Sequence, residues 1–218
     1  MAYLKSFERS FNKYLALTEG GRESDFPSPS SNKKAVYGVT SEMLENFSFN
    51  GKLEDLDKET AMKISYELFW KPLRLDEIAP YGEQTAYEMY VAARNFGVDK
   101  AVSWFKILLN FLYPADKKSE QLEVKSEGSG QKSAKKSSSK SASKSESPEK
   151  ESSKESGVDE MNDAVIERFN KFVESAPDQK RTVLQKSLAM MMSSRSIMLA
   201  NKGSFDNDFV YKFIVNRL

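Results

Sequence analysis

The stretch VSWFKILLNFLY, residues 102–113, decides how the rest of the chain must fold. Its apolar residues cover nearly every side of a helix, and Lys106 is its only charge. It is too short to cross a bilayer, which takes about 20 predominantly apolar residues. A helix that is apolar all round belongs inside a protein, among other helices. The spacing therefore predicts a buried helix over 99–113, closed by Pro114, with neighbours drawn from both sides of the chain.

Helical spacing extends outward from there. Towards the N-terminus, 83–96 carries apolar residues at three- and four-residue steps and is closed by Gly97. Residues 57–71, DKETAMKISYELFWK, form another helix, with Ala61, Ile64 and Leu68 on one stripe and Pro72 as its stop. A short helix over 41–48 is capped by Thr40 or Ser41. The opening helix covers 3–18, with Leu4, Phe7, Phe11, Tyr14 and Leu15 on its buried side. Between the last two, 22–36 is a long loop with Pro27 and Pro29, followed by a short hairpin at AVYGVT, 35–40.

Beyond 114 the pattern stops. Residues 115–157 are Lys, Ser and Glu with almost no apolar side chains, a composition that predicts a disordered tether. Its mixed charges read as a solvated linker. Periodicity resumes over 158–175, 179–201 and 207–217. The run Met190-Met191-Met192 reads as adaptable core packing. The fold class is mainly α, with about eight helices and one small hairpin. The organisation is 1–114 as the first domain, 115–157 as a linker insertion, and 158–218 as a helical region packed back on the first. Three helices alone make a marginal core, which is why the last part needs the first.

Composition removes several chemistries. The chain has 218 residues, 39% of them hydrophobic, and a formal net charge of +1. A charge so near zero argues against a dedicated nucleic-acid binder. There is neither Cys nor His. Disulfides, thiol nucleophiles, Ser-His triads and the usual zinc sites are excluded. The first residues, MAYLKSFERSFNKYLAL, place charges too often for a secretory leader.

What remains is carboxyl, hydroxyl and amine chemistry, and one carboxyl is well placed. Glu19 lies four residues after Leu15, on the buried-facing side, and Gly20 and Gly21 follow at once. A carboxyl group at such a partly dry helix end has its pKa raised, as a general acid requires. By spacing alone, a glycine-capped helix end with an incidental acid is the commoner explanation. A second carboxylate for glycoside chemistry would stand ~5–9.5 Å away, and Asp25 in the loop is the candidate, with Glu23 its competitor. Thr40 offers a hydroxyl to position a water, or a helix cap. Tyr37, Tyr66, Trp70 and Tyr87 are aromatic faces for sugar or for the core. Asn95, just before Gly97, is a substrate contact or a helix terminator.

Together these residues resemble a known family. Glu19-Gly20-Gly21 after the opening helix, Tyr37-Gly38-Val39-Thr40 after the loop, Tyr66 with Phe69-Trp70 and Pro72, and Asn95-Phe96-Gly97 are similar to glycoside hydrolase family 108. These are phage and bacterial muramidases of lysozyme-like fold. The resemblance covers 7–112. It is thinner over 158–218, where Leu184-Gln185, Arg195 and Phe209 to Arg217 resemble the family's helical peptidoglycan-binding region. It implies cleavage of the β-1,4 bond between N-acetylmuramic acid and N-acetylglucosamine, with Glu19 as general acid, Asp25 and Thr40 as further catalytic groups, and Tyr37, Tyr66, Trp70 and Asn95 binding substrate. It implies no cofactor and no metal. The partner is peptidoglycan, for a monomer made in the host cytoplasm that reaches the wall through a holin or within a virion. Neither nucleic acid nor membrane insertion is expected. A non-catalytic wall-binding or virion structural protein is the competing reading. It rests on Arg22 in place of the family's Tyr, SNKKA at 31–35 in place of its Gly-Gly-Ala-Thr, and Val91 in place of its Asp.

Overall fold

A computed structural model of the chain describes residues 5–17, 23–24, 35–47, 49, 51–114, 160–203 and 207–215. The loop over 25–34 and the tether over 115–157 lie outside the described residues. The fold is mainly helical, with one small antiparallel sheet. Within 1–113 and 158–218, the described residues form one compact unit.

Helix α1 (Lys5–Leu17) buries Phe7, Ser10, Phe11, Tyr14 and Leu15, the stripe its spacing predicts. Three two-residue strands follow: β1 (Glu23–Ser24), β2 (Ala35–Val36) and β3 (Val39–Thr40). They pair antiparallel in the order β1-β2-β3, with Glu23 opposite Val36 and Val36 opposite Val39. The hairpin foreseen at 35–40 is thus present, with one more strand added to its edge. Helix α2 (Ser41–Asn46) starts at once, and the Thr40 hydroxyl accepts the Met43 N–H at 3.4 Å as its cap.

Helix α3 (Lys58–Ser65) is capped by Asp57, whose carboxylate accepts the Thr60 N–H at 2.7 Å and the Thr60 hydroxyl at 2.9 Å. Those two hydrogen bonds hold the Asp57 carboxyl below its ordinary pKa. The expected continuation to residue 71 is there but wider. Tyr66–Trp70 form a π-turn, and the Lys71 N–H donates to the Tyr66 carbonyl at 2.9 Å.

Helix α4 (Leu75–Phe96) contains the helix expected over 83–96, and a further helical segment from Leu75 precedes it. Pro80 and Gly82 do not end the helix but kink it, with Gly82 at φ −166° and ψ 76°. Every residue from Thr85 to Asn95 is buried, so α4 is the central helix. Helix α5 (Val98–Leu112) was the one expected to be enclosed on nearly every side. It buries Ala101, Val102, Trp104, Phe105 and Leu109, but Ile107 and Phe111 stand exposed.

The remaining helices are α6 (Asp163–Ser175), α7 (Asp178–Asn201) and α8 (Asn207–Val215). Helix α6 begins five residues later than the periodicity suggests, because the Asn162 side chain caps it by accepting the Val165 N–H at 3.1 Å. Buried Met161 and Ile166 take the two positions of a hydrophobic staple around that cap. One core joins both ends of the chain. Phe105 meets Phe169 at 5.5 Å between ring centroids, and Tyr113 meets Phe172 at 6.1 Å. Arg168 donates to the Tyr113 carbonyl and to Asn110, fastening α6 to the end of α5. Met192 is fully buried, as the core reading of the methionine run expects, but Met190 is exposed.

Candidate functional site

The β2–β3 turn is built from Tyr37 at φ +50° and Gly38 at φ +72°. Two successive positive φ values belong to a type I′ turn, whose twist matches that of a two-residue hairpin. Glycine adopts this conformation freely, whereas a tyrosine does so at a cost. The turn is held from behind. The Gly38 carbonyl accepts from Arg94 Nη2 at 2.5 Å, across 56 residues of sequence. A Cβ on Gly38 would collide with that same guanidinium, so the glycine is required for space as well as for φ.

Arg94 is the centre of the cluster. It sits on α4, buried, and its Nη1 donates to the Ser65 hydroxyl on α3 at 2.6 Å. Its guanidinium carbon lies 4.6 Å from the Tyr14 ring centroid, 5.0 Å from Phe69 and 5.9 Å from Tyr90. Among the described residues no carboxylate pairs with it. Burying a cation is costly, and here aromatic faces and neutral oxygens do the compensating. Desolvation works against its charge and the Tyr90 and Tyr14 oxygens work for it, with a net upward shift in its pKa. One group thus ties α1, the hairpin, α3 and α4 together.

Tyr90 shares this interior. Its hydroxyl lies beside Ser65 and Arg94 yet makes no well-formed hydrogen bond. Burial pushes the phenol up to about 12, so it stays protonated at any ordinary pH. Next to Arg94, the buried Asn95 accepts the Tyr14 hydroxyl proton at 3.3 Å through Oδ1, and its amide nitrogen has no partner among the described residues. The Asn95 oxygen is therefore committed to α1.

A second cluster forms where the π-turn meets the start of α4. Asp76 accepts the Tyr66 hydroxyl at 2.6 Å and the Trp70 indole N–H at 2.8 Å, one on each carboxylate oxygen. The carboxylate also sits in the first turn of α4, where the helix favours negative charge. Trp70 is fully buried, with its ring 5.2 Å from Phe7 and 5.8 Å from Tyr90. This corrects its place among the sugar-stacking aromatics, since no face of the indole is accessible. Tyr87 is also buried, beneath the Lys13 ammonium at 4.0 Å.

Of the other expected site residues, Tyr37 is half-buried at the hairpin tip and Tyr66 is half-buried with its hydroxyl held by Asp76. Thr40 is buried and serves as the α2 cap. Glu19 and Asp25 lie outside the described residues, and of Glu23 only the strand pairing is described. The structure therefore brings the Tyr37–Gly38 turn and Asn95 together around Tyr14 and Arg94, leaves Thr40 to the α2 cap, and gives Trp70 and Tyr66 to Asp76.

Arg94, Ser65 and Asp76 were not among the residues read from the sequence. Arg94 did leave a signal. It is the only cation in Tyr87–Phe96, a stretch too apolar to be a solvated face. A cation in such a stretch needs a specific set of partners. Ser65 left none, because its partner Arg94 comes from 29 positions away, and Asp76 left none, because it reaches Tyr66 and Trp70 only across the bend between the π-turn and α4. No family model matches the chain, and no curated protein matches it significantly.

Proposed function

We propose that the chain is a lysozyme-like peptidoglycan hydrolase, an N-acetylmuramidase in which Glu19 is the general acid. The observation that carries this reading is the pairing of α1 with the hairpin. Helix α1 ends at Leu17, two residues before Glu19, and its last buried side chains are Tyr14 and Leu15. The Tyr37–Gly38 turn is pinned beside Tyr14 through Arg94. A half-buried aromatic on a rigid turn suits one wall of a saccharide cleft. In this reading Glu19 protonates the leaving glycosidic oxygen, and Asp25 either bears on the developing oxocarbenium ion or activates water. Tyr37 contacts a sugar face.

Glu19→Gln tests it directly. The variant should release no muropeptides from purified peptidoglycan, as read by mass spectrometry, while its unfolding midpoint stays where it was. Full lytic activity in the variant would end the assignment.

A second reading is a wall-binding module of the same fold that does not cleave. The commitments of Thr40 to the α2 cap and of Asn95 to Tyr14 favour it, as does the fully buried Val91. Wild-type protein that pellets with cell walls and releases no fragments would select this reading.

A further inference from the structure

Helices α5 and α7 pack along one another and leave a groove of about 530 Å³ between them. Trp104 on α5 and Met190, Met191 and Met198 on α7 supply its apolar lining. Ser187 and Ser194, seven residues apart on the same face of α7, are small enough to keep the trough open. Lys100 and Arg195 stand at its edge.

Three features separate this groove from an ordinary surface crease. First, Trp104 forms a buried floor, and two of the three methionines above it stand open to solvent. Met190 is 61% exposed and Met198 is 44% exposed. Second, the apolar stripe continues past the groove along α5. Trp104, Ile107 and Phe111 follow one another at three- and four-residue steps, and Ile107 and Phe111 are 54% and 79% exposed. That stripe is roughly 10 Å long at the 1.5 Å rise per residue, about two helical turns.

The third feature is charge. Every other arginine among the described residues meets an oxygen. Arg9 pairs with Glu83, Arg74 with Glu77 and Asp163, and Arg181 with Asp178. Arg94 donates to Ser65 and Gly38, and Arg168 donates to Tyr113 and Asn110. Arg195 alone of these donates to a thioether, the sulfur of Met198 at 3.6 Å. Lys100 likewise has no carboxylate partner among the described residues.

We infer that the α5–α7 groove is a docking site for an amphipathic helix of a partner protein, apolar on the face it lays against Trp104 and the methionines, and carrying Glu or Asp where it meets Lys100 and Arg195. Flexible thioethers repack around varied apolar side chains, which suits a helix seated in a groove. The two cations fix its direction and sign. A membrane surface fits less well, because it would need a polybasic cluster of four or more cations. The inference does not depend on the catalytic reading.

The test uses the full chain with ¹³C-methyl methionine. The probes are a synthetic 14-residue helical peptide with leucines on one face and flanking glutamates, the same peptide with lysines for the glutamates, and phosphatidylglycerol vesicles. The Glu peptide should shift the Met190, Met191 and Met198 methyl signals and leave the buried Met89 and Met192 in place. Lys100→Glu combined with Arg195→Glu should weaken the Glu peptide at least tenfold and make the Lys peptide the better ligand, with an unchanged thermal midpoint. The inference is overturned if the two peptides bind alike or not at all. It is also overturned if charge reversal alters affinity less than twofold, if the signals move with protein concentration alone, or if only the vesicles shift them.

Discussion

Arg94 and Arg195 are both arginines on long helices, and neither has a carboxylate among the described residues. Their surroundings differ in every other respect. Arg94 is enclosed by Tyr14, Phe69 and Tyr90 and donates to two oxygens brought from other elements. Arg195 lies over a methionine groove with one sulfur as its acceptor. Burial turns the first into a structural fastener, because water can no longer solvate it and the fold must. The second keeps its solvent, so its charge remains available to something outside the chain. One residue type serves the interior in one place and the surface in the other, and the difference lies in which neighbours packing supplies.

The comparison breaks if Arg94 can be removed cheaply. Arg94→Leu should cost about 3 kcal/mol in urea unfolding, since it strands the Gly38 carbonyl and the Ser65 hydroxyl in a dry interior. Arg94→Lys should restore only part of that, because an ammonium cannot reproduce the planar fork. A loss under about 1 kcal/mol for the leucine variant would mean that the guanidinium is not what holds the hairpin.

Tyr90 sharpens the same side of the comparison through pH. Below pH 10 the phenol is protonated in both folded and unfolded chains, and it imposes no penalty. Between pH 10 and about 12 the unfolded chain gives up its proton while the folded one retains it, so stability falls as pH rises. The expected loss across that window is about 2–3 kcal/mol. Tyr90→Phe should flatten it, measured as unfolding midpoint against pH.

Gly38 and Gly97 test whether the close approach of Arg94 matters beyond backbone conformation. Both have positive φ, at +72° and +92°, but nothing stands within 4 Å of a Cβ built on Gly97. Gly97→Ala should cost about 1–3 kcal/mol from conformation alone, because φ +92° with ψ 154° is a region essentially confined to glycine. Gly38→Ala should cost about 2 kcal/mol, because it also displaces the guanidinium. A loss under about 1 kcal/mol at Gly38 would show that Arg94 yields without resistance.

The smallest effect belongs to the other side. Arg195→Ala should change folding stability by less than about 0.5 kcal/mol, as solvated surface changes do. A loss comparable to that of Arg94→Leu would erase the distinction between the two arginines.

Much of this architecture could be read from residue spacing. The stripe on α1, the turn at Tyr37–Gly38, the cap at Thr40 and the stop at Gly97 are local matters, settled by neighbours within a few positions. The same reading placed the enclosed helix at 99–113. The enclosed one is α4, because its short Ala86, Ala92 and Ala93 side chains let other helices approach closely. Trp70 was read as open to sugar or core, and Asp76 is what commits it. The helix read over 83–96 is present, but a second helical segment from Leu75 precedes it across the kink at Gly82.

By itself the sequence determined that the chain is mainly helical, which faces of those helices are apolar, and that only carboxyl, hydroxyl and amine chemistry is open to a chain without Cys or His. Tertiary structure alone decided that Arg94 reaches Ser65 and Gly38 across 29 and 56 positions, and that the α5 stripe is left uncovered beside α7. The reason is physical. Periodicity and capping act over one or two turns of backbone, whereas the partners of a buried charge are chosen by whichever distant elements close around it.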